Sequence, residues 1–222
     1  NVVQCLEDYG IPLLLNHTIV DIKGKDRIEG VTVAELDENR KPIKGTEQFY
    51  ECDTLLLSVG LIPENELSKG ADVKLDPITG GPVVNESMET TVRGVFACGN
   101  VVHVHDLVDY VTEESRTAGR NAARFVNGEA GGYGPVIRTK PGNGIRYIVP
   151  HFIRRDKVER SVDLFMRVDR IFTDKKLVVK SGDIVIRAIN KAYMRPGEME
   201  RINITAESLK AAENLSLTID VE

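Results

Sequence analysis

Two stretches carry the residue types that do chemistry. His103-Val104-His105-Asp106 sets two imidazoles two positions apart, with a carboxylate next in line. Histidine titrates near neutrality, so the cluster suits a metal ion, general acid–base work or a ligand-facing polar loop; an ordinary surface loop is the plain alternative. A metal needs a third and fourth ligand, and the remaining histidines, His17 and His151, stand far away in the sequence, so no metal site is expected. Just upstream, the apolar stretch Gly94–Ala97 runs into Gly99-Asn100, and a helical pattern follows over Leu107–Val126. Strand, tight glycine turn, polar side chain and helix N-terminus form a corner where backbone and dipole can approach a polyphosphate. Cys98, next to Gly99, reads as a small buried hydrophobe.

At these residues the chain resembles the two-dinucleotide-binding-domain flavoproteins, the pyridine nucleotide-disulfide oxidoreductase superfamily. That family closes its FAD site with T-x-x-x-G-V-F-A-x-G-D, and the core of the motif reads here Gly94-Val95-Phe96-Ala97-Cys98-Gly99-Asn100. The departure is Asn100, where the family has an aspartate on the ribityl chain. An amide still accepts and donates there, without the charge. The resemblance implies FAD contacts from Gly99, Asn100 and Val101. It also implies that Asp109, Tyr110 and Val111 begin a helix aimed at the pyrimidine edge of the isoalloxazine, where the dipole favours negative charge. Gly60 and Pro63 resemble the crossover A-x-G-x-x-P-N that returns the chain to the FAD domain. His103 and His105 then become the candidate catalytic acid–base residues beside the flavin. FAD and NAD(P) are the implied cofactors of the parent protein, with hydride passing between nicotinamide, flavin and an unidentified small-molecule substrate or partner subunit. An amine, hydroxy-acid or glycerol-type dehydrogenase flavin subunit fits this reading. The family's redox disulfide has no counterpart here.

The elements that must position these residues follow from periodicity. Val2–Tyr9 reads as a helix stopped by Gly10, and Ile11–Leu15 as a buried strand. Thr18–Lys23, Arg27–Leu36 and Gly45–Glu51 form a meander, and Thr54–Val59 reads as an apolar strand. Gly119, inside the later helix, suggests close packing against sheet or cofactor, and Gly128 ends that helix. Glu129–Asn143 is rich in glycine and proline and marks a boundary. Beyond it lie strands at Ile145–Ile153, Ser161–Phe172, Lys176–Lys180, Asp183–Ala188, Glu200–Thr205 and Leu215–Val221, with a helical turn or loop at Ala206–Ala212. Turns about every ten residues point to an antiparallel sandwich or barrel.

The expected architecture is therefore α/β: partial FAD/NAD(P)-binding nucleotide domains followed by a small antiparallel all-β, sandwich-like domain. Residues 1–57 are the C-terminal part of the NAD(P) domain, 58–128 that of the FAD domain, 129–144 a linker and 145–222 the β-rich domain. No GxGxxG occurs, although the closing FAD strand does, so the chain reads as the later part of a longer flavoprotein that is cofactor-free by itself. A non-catalytic binding or assembly module that keeps the fold without cofactor is the rival reading.

Composition narrows the classes. Hydrophobic residues at 41% and charged residues at 28% fit an ordinary globular protein. No apolar run is long enough to span a bilayer, and the start of the chain has no signal-peptide pattern. A net charge of −5 argues against nucleic-acid binding. Three scattered cysteines without a CxxC point to a reducing, cytoplasmic setting. The alternating β-rich segment leaves oligomerisation through that domain as its expected partner role.

Overall fold

The computed structural model describes residues 2–129, 134–210, 212 and 215–222. The chain divides into two compact units, Asn1–Gly60 and Leu61–Glu222. In the first, α1 (Val2–Asp8) ends as expected: Gly10 adopts φ +63°, its N–H donates to Glu7 O, and the N–H of Ile11 donates to Leu6 O. This paired closure satisfies carbonyls that the helix end would otherwise leave bare. The meander forms as β1 (His17–Lys23), β2 (Gly30–Glu35) and β3 (Gln48–Glu51), antiparallel, with β2 central and carrying the buried Val31 and Ala34.

Two expected strands of this unit do not form. Neither Ile11–Leu15 nor Thr54–Val59 has a ladder partner among the described residues. Leu56 and Val59 are 89% and 87% exposed. Apolar runs of this kind become strands only beside a neighbour that takes up their N–H and C=O groups.

The second unit begins with α2 (Glu66–Gly70) and a looped segment held by isolated bridges, Val84 with Thr90 and Glu89 with Phe96 among them. The expected strand Gly94–Ala97 is reduced to that last bridge. The amphipathic helix α3 follows (Val108–Val126). Its end is a second glycine closure: Gly128 sits at φ +77°, with Gly128 N–H donating to Phe125 O and Glu129 N–H to Arg124 O. Gly119 is exposed, and a Cβ there would meet nothing within 4 Å, so no close packing within the chain explains it.

Eight strands complete the unit: β4 (Val136–Pro141), β5 (Ile145–Val149), β6 (Phe152–Arg154), β7 (Ser161–Val168), β8 (Phe172–Ser181), β9 (Ile184–Met194), β10 (Glu200–Thr205) and, after α4 (Ala206–Lys210), β11 (Ser216–Val221). They form a three-stranded sheet, β10-β7-β5, and a five-stranded sheet, β6-β4-β11-β8-β9. Both sheets feed one core, with Leu164, Met166 and Ile204 from the first and Ile137, Leu177, Leu217 and Ile219 from the second. Alternation along β10 and β11 puts every second side chain into it.

Three expectations need correction here. The five-stranded sheet is mixed, not antiparallel, because β11 pairs with β4 in parallel. Residues 136–141 of the presumed linker are therefore a strand; residues 130–133 of that linker lie outside the described residues, as does residue 211 of the segment after β10. Ile184 and Ala188 are exposed, because β9 is an edge strand of its sheet. On β5, Ile145 and Ile148 enter the two-sheet core, while Tyr147 and Val149 pack with Val84, Met88, Val102 and Ala118. One strand buried on both faces joins the β-rich segment to the segment before it.

Candidate functional site

The corner at Gly99-Asn100 is built from the loop upward. Gly99 opens a 3-10 turn (Gly99–Val101) at φ +71°, a conformation costly for residues with a Cβ, and an added Cβ would lie 3.1 Å from Val111 Cγ1 of α3. Close approach of turn and helix thus requires glycine. Asn100 is exposed, and its Oδ1 accepts the N–H of His105 at 3.1 Å. Val101 is half-buried and its carbonyl accepts from Asn65 Nδ2 at 3.0 Å, while the same amide nitrogen donates to Gly80 O at 2.9 Å. Asn65 stands two residues after Pro63, so the crossover segment is pinned to the corner through a residue that was not singled out in the sequence.

Helix α3 begins beside this turn. Leu107 occupies its N-cap with extended backbone and no side-chain capping bond, and Asp109 lies exposed in the first turn, where a carboxylate complements the dipole. Tyr110 turns inward against the Phe165 ring, with centroids 5.3 Å apart. Val111 packs on Gly99. Gly99, Asn100, Val101, Asp109, Tyr110 and Val111 therefore belong to one neighbourhood. Gly60 is the last residue of the first unit and Pro63 lies in the second.

His103 and His105 are not on the open side of the corner. They are 1% and 8% exposed, and both rings converge on Glu114 of α3, itself 4% exposed. His103 Nε2 lies 2.7 Å from Glu114 Oε1, His105 Nε2 lies 3.0 Å from Oε2, and Gly99 N–H donates to Oε2 at 2.8 Å. Phe165, Tyr110 and Tyr147 wall the group, with ring centroids 5.5–6.3 Å from an imidazole. The sequence expectation of acid–base residues at the flavin is corrected accordingly: apolar loop packing turns both imidazoles away from solvent. Burial pushes His103 below its ordinary range against the pull of Glu114. Burial pushes Glu114 upward, but the His103 and His105 imidazoles beside it outweigh that and hold the carboxyl at about 2. A carboxylate facing a neutral His103 requires the proton on Nε2 of that ring.

Arg167 of β7 fastens the same loop from outside. Its guanidinium donates to Val104 O at 3.1 Å and Pro196 O at 3.2 Å and pairs with Asp106, whose other oxygen accepts the N–H of Met199. Glu114 and Arg167 were both missed in the sequence. For Glu114 a signal existed: it falls three residues after Val111 and four before Ala118, on the buried stripe of the helix, where an acid demands a partner.

With turn, helix and loop so arranged, the class is an α/β protein whose glycine turn leads into a helix N-terminus. The sequence profile described as "Pyridine nucleotide-disulphide oxidoreductase" matches residues 2–123, more than half of the chain, and the chain belongs to that family. It is 28% identical to the NADH oxidase of Methanocaldococcus jannaschii over 131 residues, which covers 59% of this chain and 25% of that protein. It is 31% identical over 98 residues to the NAD(P)H sulfur oxidoreductase (CoA-dependent) of Pyrococcus abyssi, covering 44% of this chain and 19% of that one. The match to the nitrite reductase [NAD(P)H] of Bacillus subtilis is weaker, 24%, but runs over 186 residues, 81% of this chain and 21% of the enzyme. The chain spans about a quarter or less of these relatives. Among the described residues no helix is long and apolar enough to cross a membrane.

Proposed function

We propose that this chain supplies the NAD(P)-domain meander and the ribityl- and ring-side corner of an FAD-dependent, NAD(P)H-linked oxidoreductase. The observation that carries the reading is the exposed Asn100 beside a glycine turn at positive φ and a helix N-terminus with no side-chain cap. Those groups fit a flavin nucleotide: the helix start and the Asn100 amide offer donors, and the Asn100 oxygen is tied to His105. When bound, the flavin supplies two-electron chemistry between nicotinamide and substrate. The chain's own residues orient and tune it. Asn100 would hold the ribityl chain, the first turn of α3 would offer positive potential to the ring, and His103, His105 and Glu114 would fix the loop as positioning residues.

The substrate is a small molecule or a partner subunit, and the working compartment is reducing, in line with three free cysteines. Residues 145–222, whose two sheets share one core, would serve assembly, with the exposed Ile184, Val185 and Tyr193 on β9 as a contact edge. The relatives named above are oxidoreductases, which favours this reading over a cofactor-free assembly module. The 222 residues alone would retain FAD weakly or not at all, because no glycine-rich pyrophosphate turn is among them.

Asn100 provides the test. In the protein that carries this chain, Asn100→Asp restores the charge and is expected to tighten FAD by roughly fivefold, as about 1 kcal/mol from a charge-assisted bond would do. Asn100→Ala is expected to weaken it by a similar factor. Equal FAD dissociation constants in wild type and both variants would rule out contact between residue 100 and the flavin.

A further inference from the structure

The strongest unassigned feature is the buried group His103, His105 and Glu114. The sequence argument against a metal was the want of a third and fourth ligand, and α3 supplies the third. The candidate ligand atoms all lie within 4.8 Å of one another. Their spacing is informative. His105 Nε2 is 3.0 Å from Glu114 Oε2, yet it makes no hydrogen bond of acceptable geometry. A buried polar nitrogen is ordinarily satisfied, and one that is not calls for an account such as a bound ion. Two imidazoles and a carboxylate converge here, with hydrogen-bond geometry only between His103 and Glu114, an arrangement that fits ligands facing a common cation.

We propose that His103, His105 and Glu114 bind a zinc-type divalent ion that clamps the loop after the glycine turn to α3. Two histidines and one glutamate form a ligand set known to hold zinc, with bonds of about 2.0–2.2 Å. Such bonds place neighbouring ligand atoms roughly 3.3 Å apart in a tetrahedron, so the observed 2.7 and 3.0 Å separations need to open by only a few tenths of an ångström. Each neutral ring would bind through Nε2 and carry its proton on Nδ1. Gly99 N–H, donating to Glu114 Oε2, orients the carboxylate from the second sphere. Walled by Phe165, Tyr110 and Tyr147, the ion would have a structural role, fixing Gly99 and Asn100 without reaching the reaction itself.

The test is independent of flavin. The chain is dialysed against chelator, titrated with Co2+ alone and read by visible d–d absorption, then competed with Zn2+. The expected result is one Co2+ per chain, displaced by Zn2+, with chelator lowering the thermal midpoint. Glu114→Gln and His105→Gln should weaken binding by more than the roughly 10–100-fold that loss of a second-sphere partner costs. If either variant fails to fold, the wild-type titration still decides. No d–d spectrum and no chelator effect in wild type would overturn the proposal, leaving a hydrogen-bonded His–Glu–His cluster. Unchanged Co2+ binding in folded variants would overturn it equally.

Discussion

Asn65 holds two carbonyls, Gly80 O and Val101 O, with one amide nitrogen, and it is buried. Asn65→Ala removes both bonds, and a hydrogen bond contributes about 0.5–1.5 kcal/mol net, so urea unfolding should report a loss of about 1–2 kcal/mol. An unchanged midpoint would mean that water replaces the amide at no cost. Asp76 offers a pH test. The His151 imidazole beside it, 3.7 Å away, and the Thr79 and Ile78 amides hold its carboxyl at about 2, despite partial burial. A depressed acid contributes stability above its unfolded value, and that contribution fades as pH falls from about 4 toward 2. Asp76→Asn should therefore show a flatter loss of stability across that window than wild type; parallel curves would contradict the assignment. At this scale the sequence was half legible. The glycine–asparagine turn could be read because its backbone demands are local. The inward turn of His103 and His105 could not, because it depends on Glu114 and Phe165, 9 to 62 residues away in the chain.

Elements set by local pattern appear where periodicity and glycine put them. Both glycine-closed helices and the meander are of this kind, and α3 starts and stops within a residue of its expected ends. Gly128→Ala tests the second closure: a left-handed residue with a Cβ costs roughly 1–2 kcal/mol, so the variant should unfold at lower denaturant and exchange the last-turn amides of α3 faster. Identical exchange would show that the closure is not held by Gly128. Elements that need a neighbour were misread. Ile11–Leu15 and Thr54–Val59 have strand-like composition, but a strand exists only as part of a ladder. In the opposite direction, β4 was hidden in a Gly/Pro-rich stretch, and its pairing with β11 some 80 residues later gave no local signal.

At the scale of the whole chain, two compact units divide after Gly60. The second unit unites the Gly99–Asn100 corner with the two sheets through β5 and through Arg154, which pairs with Glu86 and Glu89. A corner braced in this way can hold its turn and helix rigidly against a cofactor. The chain's place in an oxidoreductase is tested most directly by anaerobic titration of the protein that carries it with NADH or NADPH, following the visible flavin absorbance. The account predicts a yellow protein whose absorbance bleaches stoichiometrically with added nicotinamide and returns with an oxidant. A protein that takes up no FAD on reconstitution, or whose bound flavin neither NADH nor NADPH reduces, would contradict it.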